Sequence, residues 1–217
     1  KLLLILIALP MIGFGQNVYI PDTYFKACLV GNTAINTNGD TEIQVSEATA
    51  FYGYLSCLGG FGGYISDLTG IEYFTNLYWF DCRYNNLTSL DVSQNTALTE
   101  LDCSSNQLTS LDVSQNTALT ELDCSSNQLT SLDVSASTAL TDLMCQENQL
   151  TSLDVSTNTA LTYLNCGKYT ALGNQLTSLN VSQNTALTEL YCASNQLTSL
   201  DVSNNLALIN LGCGNNQ

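Results

Sequence analysis

Nine cysteines, no histidine and one run of alternating oxygen-bearing side chains set the chemistry open to this chain. Seven cysteines, Cys82, Cys103, Cys124, Cys145, Cys166, Cys192 and Cys213, follow one another at 21 residues, with a single step of 26. One cysteine per period is a column of like side chains, not a pairing scheme. Without histidine, and without a CxxC pair, the pattern offers no zinc ligand set. Ser-His and Cys-His nucleophilic catalysis are excluded for the same reason. Carboxylate pairs for glycoside hydrolysis are formally present. Those acids recur by repetition, however, and no unique pair stands out, so the chain reads as no enzyme. The alternating oxygens lie at Asn36, Asn38 and Asp40, the spacing by which a chain wraps a hard cation.

The elements that hold these residues follow from one repeat. Its plainest copy is Leu98 to Ala118, LTELDCSSNQLTSLDVSQNTA, and Leu119 to Asp133 repeats the first fifteen residues unchanged. The alternation Leu101, Asp102, Cys103 predicts a short strand with Leu and Cys inward. A single unit cannot bury its apolar face, but stacked units can, on parallel strands ~4.8 Å apart. In the inward slot each cysteine acts as a small buried hydrophobe. In-register side chains on parallel strands suit the ~3.8 Å Cβ separation of a disulfide poorly, so the ladder is expected free and buried throughout. Cys57 is expected to continue the column at the cap, and Cys28 to sit on a cap helix. Asn85, Asn106, Asn127, Asn148, Asn174, Asn195 and Asn216 form a second column, placed to bond the backbone of neighbouring turns. The LTSLDVS half predicts a second narrow parallel sheet or extended ribbon, with Asp91, Asp112, Asp133, Asp154 and Asp201 outward and Asn180 breaking the series.

The pattern LxxLxCxxNxL resembles the leucine-rich repeat over roughly the last two thirds of the chain. The likeness is to secreted bacterial solenoids of Bacteroidetes type and, more loosely, to internalins. It implies a β-rich solenoid with a small helical N-terminal cap and a role in binding. Residues 1–16, a basic start and a short apolar run, read as a secretory signal peptide. Residues 17–76 read as the cap with an irregular first repeat, and 77–217 as repeats cut short at the C-terminus. Within the cap, Pro21 and Asp22 open a helix through Val30, and a second helix runs through Phe51. Between them, residues 36–47 resemble an EF-hand or dockerin-like calcium loop. The resemblance makes Asn36, Asn38, Asp40 and Glu47 side-chain ligands, Glu42 a carbonyl ligand and Gln44 a water-mediated one. Asn36 in place of Asp, and Thr41 in place of Gly, would weaken affinity. Calcium is thus the one cofactor expected, as a stiffener of the cap.

Outward columns of the strand face carry the binding candidates. Trp79, Glu100, Glu121, Asp142, Tyr163 and Glu189 lie on one, and Asp81, Asp102, Asp123 and Tyr191 on the next. Aromatics bracketing carboxylates suit a glycan or a basic peptide. A solvated acidic sheet that resists aggregation is the plainer account of any single residue. A net charge of −15, with Lys1, Lys26, Arg83 and Lys168 the only bases, argues against nucleic acid and anionic membranes. The apolar run is too short for a membrane span. The sequence therefore reads as a secreted or cell-surface monomer that binds a protein or glycan through its strand face. Ice binding through the column of Thr99, Thr120, Thr141, Thr162 and Thr188 is an alternative, as is a purely structural surface role. The five extra residues between Cys166 and Asn174 are expected to form a loop at the edge of that face.

Overall fold

The computed structural model describes residues 15–60, 62–167 and 173–217. Most of the segment read as a signal peptide, and the core of the inserted loop, lie outside the described residues.

Among the described residues each repeat contributes one short strand, and the segment before the repeats one more, to an eight-stranded parallel sheet in sequential order. The strands are β1 (Gly53–Ser56), β2 (Leu77–Asp81), β3 (Glu100–Asp102), β4 (Glu121–Asp123), β5 (Asp142–Met144), β6 (Tyr163–Asn165), β7 (Glu189–Tyr191) and β8 (Asn210–Gly212). From β2 onward the register is one-to-one, Leu101 opposite Leu122 and Leu143 opposite Leu164, so identical side chains stack. Leu122, Cys124, Leu129 and Val134 are all fully buried in the fourth rung, and their equivalents line the core from rung to rung. The strands are short for a local reason. Tyr84, Ser105, Ser126, Glu147, Ser194 and Asn215 hold φ between 54° and 58°, a left-handed turn that ends each strand path.

That turn aims the next residue, the column asparagine, into the stack. Asn127 Nδ2 donates to the carbonyls of Cys103, Cys124 and Ser125 at 3.0, 3.1 and 3.2 Å, and its Oδ1 accepts from Leu108 N at 2.9 Å. Each asparagine thus ties two rungs where strand pairing has stopped. A second buried column, which the sequence reading did not single out, does the same at the far corner. Asn116 Nδ2 donates to Val92 O and Asn95 O, both at 3.0 Å, and Asn95, Asn158, Asn184 and Asn205 behave alike. Ser137 occupies this column in one rung.

The ribbon half is extended, but it pairs less than a second sheet would. Its bridges are isolated, at Asp91 with Asp112 and Asp112 with Asp133. Its aspartates turn back on their own chain, each Oδ1 accepting the backbone N–H two residues on, as in Asp112 with Ser114 at 2.8 Å. These bonds hold the carboxyls of Asp91, Asp112 and Asp154 below their ordinary range.

The cap holds α1 (Thr23–Val30) and α2 (Val45–Ala50), close to the sequence expectation. Asp22 caps α1 by accepting from Tyr24 N and Phe25 N, while its other oxygen takes Ser66 N and Oγ, which joins the helix start to the first solenoid turn. Two expectations for cysteine are corrected here. Cys57 does continue the column, its N–H bonding Asp81 O as Cys82 N–H bonds Asp102 O. It is not a free thiol, because Cys28 reaches it from α1 and the two form a disulfide with Cα atoms 5.9 Å apart. The stacking argument against disulfides fails at this position, since the partner comes from a helix and not from the adjacent strand. At the other end Cys213 is exposed where the other ladder thiols are buried, since no described rung covers it.

Candidate functional site

The outward sheet face is built from alternate strand residues, and register brings its candidates together. Trp79, Glu100, Glu121, Asp142, Tyr163 and Glu189 stand in one column. Asp81, Asp102 and Asp123 stand in the next, which continues through Met144 and Asn165 to Tyr191. At the C-terminal side the Tyr163 and Tyr191 rings lie 5.8 Å apart, and Tyr191 Oη donates to Glu189 Oε2 at 2.8 Å.

Stacked carboxylates repel and partly lose water, and both effects are visible. Burial, then the charges of Glu100, Asp142 and Asp123, raise the Glu121 carboxyl. Burial also raises Asp123, against hydrogen bonds from Ser125. Asp81, placed outward by the sequence reading, is only 2% exposed. It pairs with Arg83, whose Nε lies 3.4 Å from Asp81 Oδ2 and whose Nη1 lies 3.3 Å from Asp102 Oδ2.

Sequence reasoning placed Trp79 at this end of the face but missed the tyrosines packed around it. Between Gly53 and Tyr54 the pairing of β1 with β2 slips by one residue, so Leu77 faces Gly53 and Trp79 faces Tyr54. The extra residue, Tyr78, is neither buried nor paired in register. Tyr54 packs on Trp79 at 5.1 Å between ring centroids, and Tyr52 on Tyr78 at 5.3 Å. The alternating aromatics of residues 52–54 were a usable signal, but without the repeat around them they carried no register.

The threonine column is committed elsewhere. Thr99, Thr120, Thr141, Thr162 and Thr188 each donate Oγ1 to the carbonyl of the rung before, Thr120 to Thr99 O at 3.0 Å. Such hydroxyls fasten the stack instead of presenting an array to water, which leaves the ice-binding alternative without support.

In the cap loop, Asn38, Asp40 and Gln44 do converge. Asn38 Nδ2 lies 3.0 Å from Asp40 Oδ2 and 2.6 Å from Gln44 Oε1. Asn36 Oδ1 accepts from Gly39 N, the loop's left-handed turn at φ 72°, so the sharp bend falls at Gly39 and not at Thr41. Glu42 points to Lys26, 2.6 Å away. Glu47 Oε1 accepts from Thr37 N, Thr37 Oγ1 and Asn38 N, while Oε2 accepts from Gln44 N. Burial alone would raise its carboxyl, but those bonds outweigh burial and hold it below the ordinary range. A cation would need Asn38 to present its carbonyl oxygen, which now accepts from Asp40 N.

Comparison with known proteins agrees with this geometry. Residues 96–137 match a family described as leucine-rich repeats, two copies. The chain folds as a leucine-rich-repeat solenoid. Among solved structures the solenoid is similar to the functional domain of InlJ from Listeria monocytogenes, described as including a cysteine ladder. Identity there is 39% and the TM-score 0.70, over 93% of this chain and 48% of that one. It is also similar to internalin C2 of Listeria monocytogenes, at 23% identity and TM-score 0.78, over 91% of this chain and 85% of that chain. A third likeness is to a leucine-rich-repeat protein of Leptospira interrogans, at 25% identity and TM-score 0.69, over 80% and 45%. The solenoid therefore spans about half the length of the InlJ domain. No curated protein matches the sequence. Among the described residues, no helix is long and apolar enough to cross a membrane.

Proposed function

We propose that this solenoid is an extracellular recognition or adhesion module, acting as a monomer, that engages a protein or glycan through the outward face of its parallel sheet. The observation that carries the reading is where the repeat departs from itself. Glu, Asp and Ser recur on the face as the unit dictates, whereas Tyr54, Trp79, Tyr163 and Tyr191 stand where the unit puts acids or are added at the sheet's start. Tyr54 is exposed and the other three rings are half-buried; rings already held by neighbours lose little entropy on contact and commonly dominate binding energy. Export is supported by the apolar start of the sequence and by the Cys28–Cys57 disulfide, which persists in an oxidising compartment.

Glycan and peptide arrays probed with the protein test the reading. Hits are expected to weaken about tenfold in Tyr191→Ala, the cost of an aromatic anchor, and to be unchanged in Asp112→Ala on the ribbon. Loss in the ribbon variant with retention in the tyrosine variant would place the site on the wrong side of the solenoid.

A second reading concerns the cap, where Asn38, Asp40 and Gln44 converge beside an ionised Glu47. We propose that calcium stiffens this loop once Asn38 turns its oxygen inward. Millimolar calcium is expected to raise the melting temperature by mass action in the parent chain and to leave that of Glu47→Gln unmoved. No shift in the parent would leave a loop closed by its own hydrogen bonds.

A further inference from the structure

The chain already shows what kind of group its sheet face accepts. Arg83 is half-exposed and lies across two rungs, with one guanidinium nitrogen toward Asp81 and another toward Asp102. The same column continues to Asp123 without a second such bridge. Of the other three bases, Lys1 and Lys168 fall outside the described residues, and Lys26 is held by Glu42 in the cap. No hydrogen bond among the described residues reaches the carboxylates of Glu100 or Glu121, and Asp123 accepts only from its own neighbour Ser125.

Resting on the sheet-face reading above, we propose that the occupant is an extended peptide bearing arginine or lysine side chains. Its cations would repeat along Asp102, Asp123, Glu100, Glu121 and Asp142 the bridge that Arg83 makes between Asp81 and Asp102. The rings at both ends of the carboxylate patch suit the same partner. Tyr54 stacked with Trp79, and Tyr163 with Tyr191, offer π faces to a guanidinium or ammonium group. A neutral glycan would use the rings but leave the mutual repulsion of the stacked acids in place. An anionic one would add to it. A cationic chain removes a cost the free protein already carries, since burial and like-charged neighbours oppose ionisation of Glu121.

The probes are a fluorescein-labelled alternating Arg–Gly peptide, its Ser–Gly counterpart and a neutral β-glucan oligosaccharide, each titrated against the whole chain. Because a chain of net charge −15 attracts any polycation, variants matched in charge decide the matter. Glu121→Gln with Asp123→Asn removes two charges from the sheet face. Asp112→Asn with Asp133→Asn removes two from the ribbon and keeps the turn oxygens there. The Arg–Gly peptide is expected to bind and the Ser–Gly peptide not to. The face pair should weaken binding about tenfold, the ribbon pair less than about twofold, and Trp79→Ala about as much as the face pair. Equal losses in the two charge-matched pairs would reduce the effect to overall charge and overturn the proposal. Absence of Arg–Gly binding would overturn it as well. If the oligosaccharide binds instead and is lost in Trp79→Ala, the cationic partner is refuted while the sheet face survives as the site. Binding of either probe that ignores every face variant would refute both.

Discussion

Asn127, buried just beyond its strand, satisfies four backbone groups that no sheet or helix reaches. Replacing it should therefore cost more than an ordinary surface polar change. Asn127→Asp keeps the shape but removes the two amide protons that meet the carbonyls of Cys103 and Cys124, and sets a carboxylate against them. It is expected to lower stability by about 3 kcal/mol, the cost of stranding buried acceptors, read from a urea transition against the parent. A change below about 0.5 kcal/mol, the range of surface substitutions, would deny the ladder its structural role. The cysteines make a second test at this scale. Burial pushes the thiols of Cys82, Cys103, Cys124 and Cys145 well above their ordinary value, and that of Cys192 up to about 11. Such thiols are protonated and unreachable, so a row of free cysteines is compatible with the proposed export. Alkylation of the native protein is expected at Cys213 alone, with the remaining six reacting after unfolding; native labelling of Cys124 would contradict the packing. The Asn85 to Asn216 column was legible because it sits inside the strand signature. The Asn95 to Asn205 column recurs with one interruption, at Ser137, but QNTA reads as a solvated turn. Only the fold shows that the turn bends back and buries it.

At the scale of elements, the cap is joined to the solenoid by a covalent bond and a carboxylate. The Cys28–Cys57 disulfide closes a separation of 29 residues, for which loop entropy gives about 3.6 kcal/mol. Cys28→Ser should destabilise by that order in thermal melts, and the loss should vanish when the parent is measured under reducing conditions. Its pairing was hidden in the sequence because Cys28 belongs to no period and Cys57 belongs to the column. Only the fold, which sets α1 beside the residue that follows β1, brings them together. Glu47 sets the pH response of the same region. Its pKa is lower in the fold than in the open chain, so the stability it contributes is present at neutral pH and is lost as pH falls through the carboxylate range. The sheet carboxyls behave oppositely. Asp81, Glu121 and Asp123 are raised in the fold, so their ionised forms disfavour the native state at neutral pH, and protonation in mild acid relieves it. Hydrogen exchange followed from neutral pH into mild acid is expected to accelerate around residues 36–47 while β3 to β5 stay protected. Uniform loosening of cap and sheet together would contradict that division.

For the whole molecule, repetition explains both what could be read early and what could not. Strands, inward leucines and the composition of the outward columns follow from one 21-residue unit, and the structure realises them in register. The start of the sheet escaped, because β1 lies in a segment without the unit and its slip against β2 sets Tyr78 and Trp79 side by side. A surface made of identical rungs is uniform, so the proposed recognition would depend on the rungs that differ, and these lie at the two ends of the acidic patch. The central claim is that the outward sheet face is the contact surface. Carbodiimide labelling of carboxyls, read by mass spectrometry with and without an array hit bound, tests it most directly. The account predicts protection of Glu100, Glu121 and Asp142 with unchanged labelling of Asp112, Asp133 and Asp154. Protection of the ribbon aspartates with the sheet acids left open would contradict it.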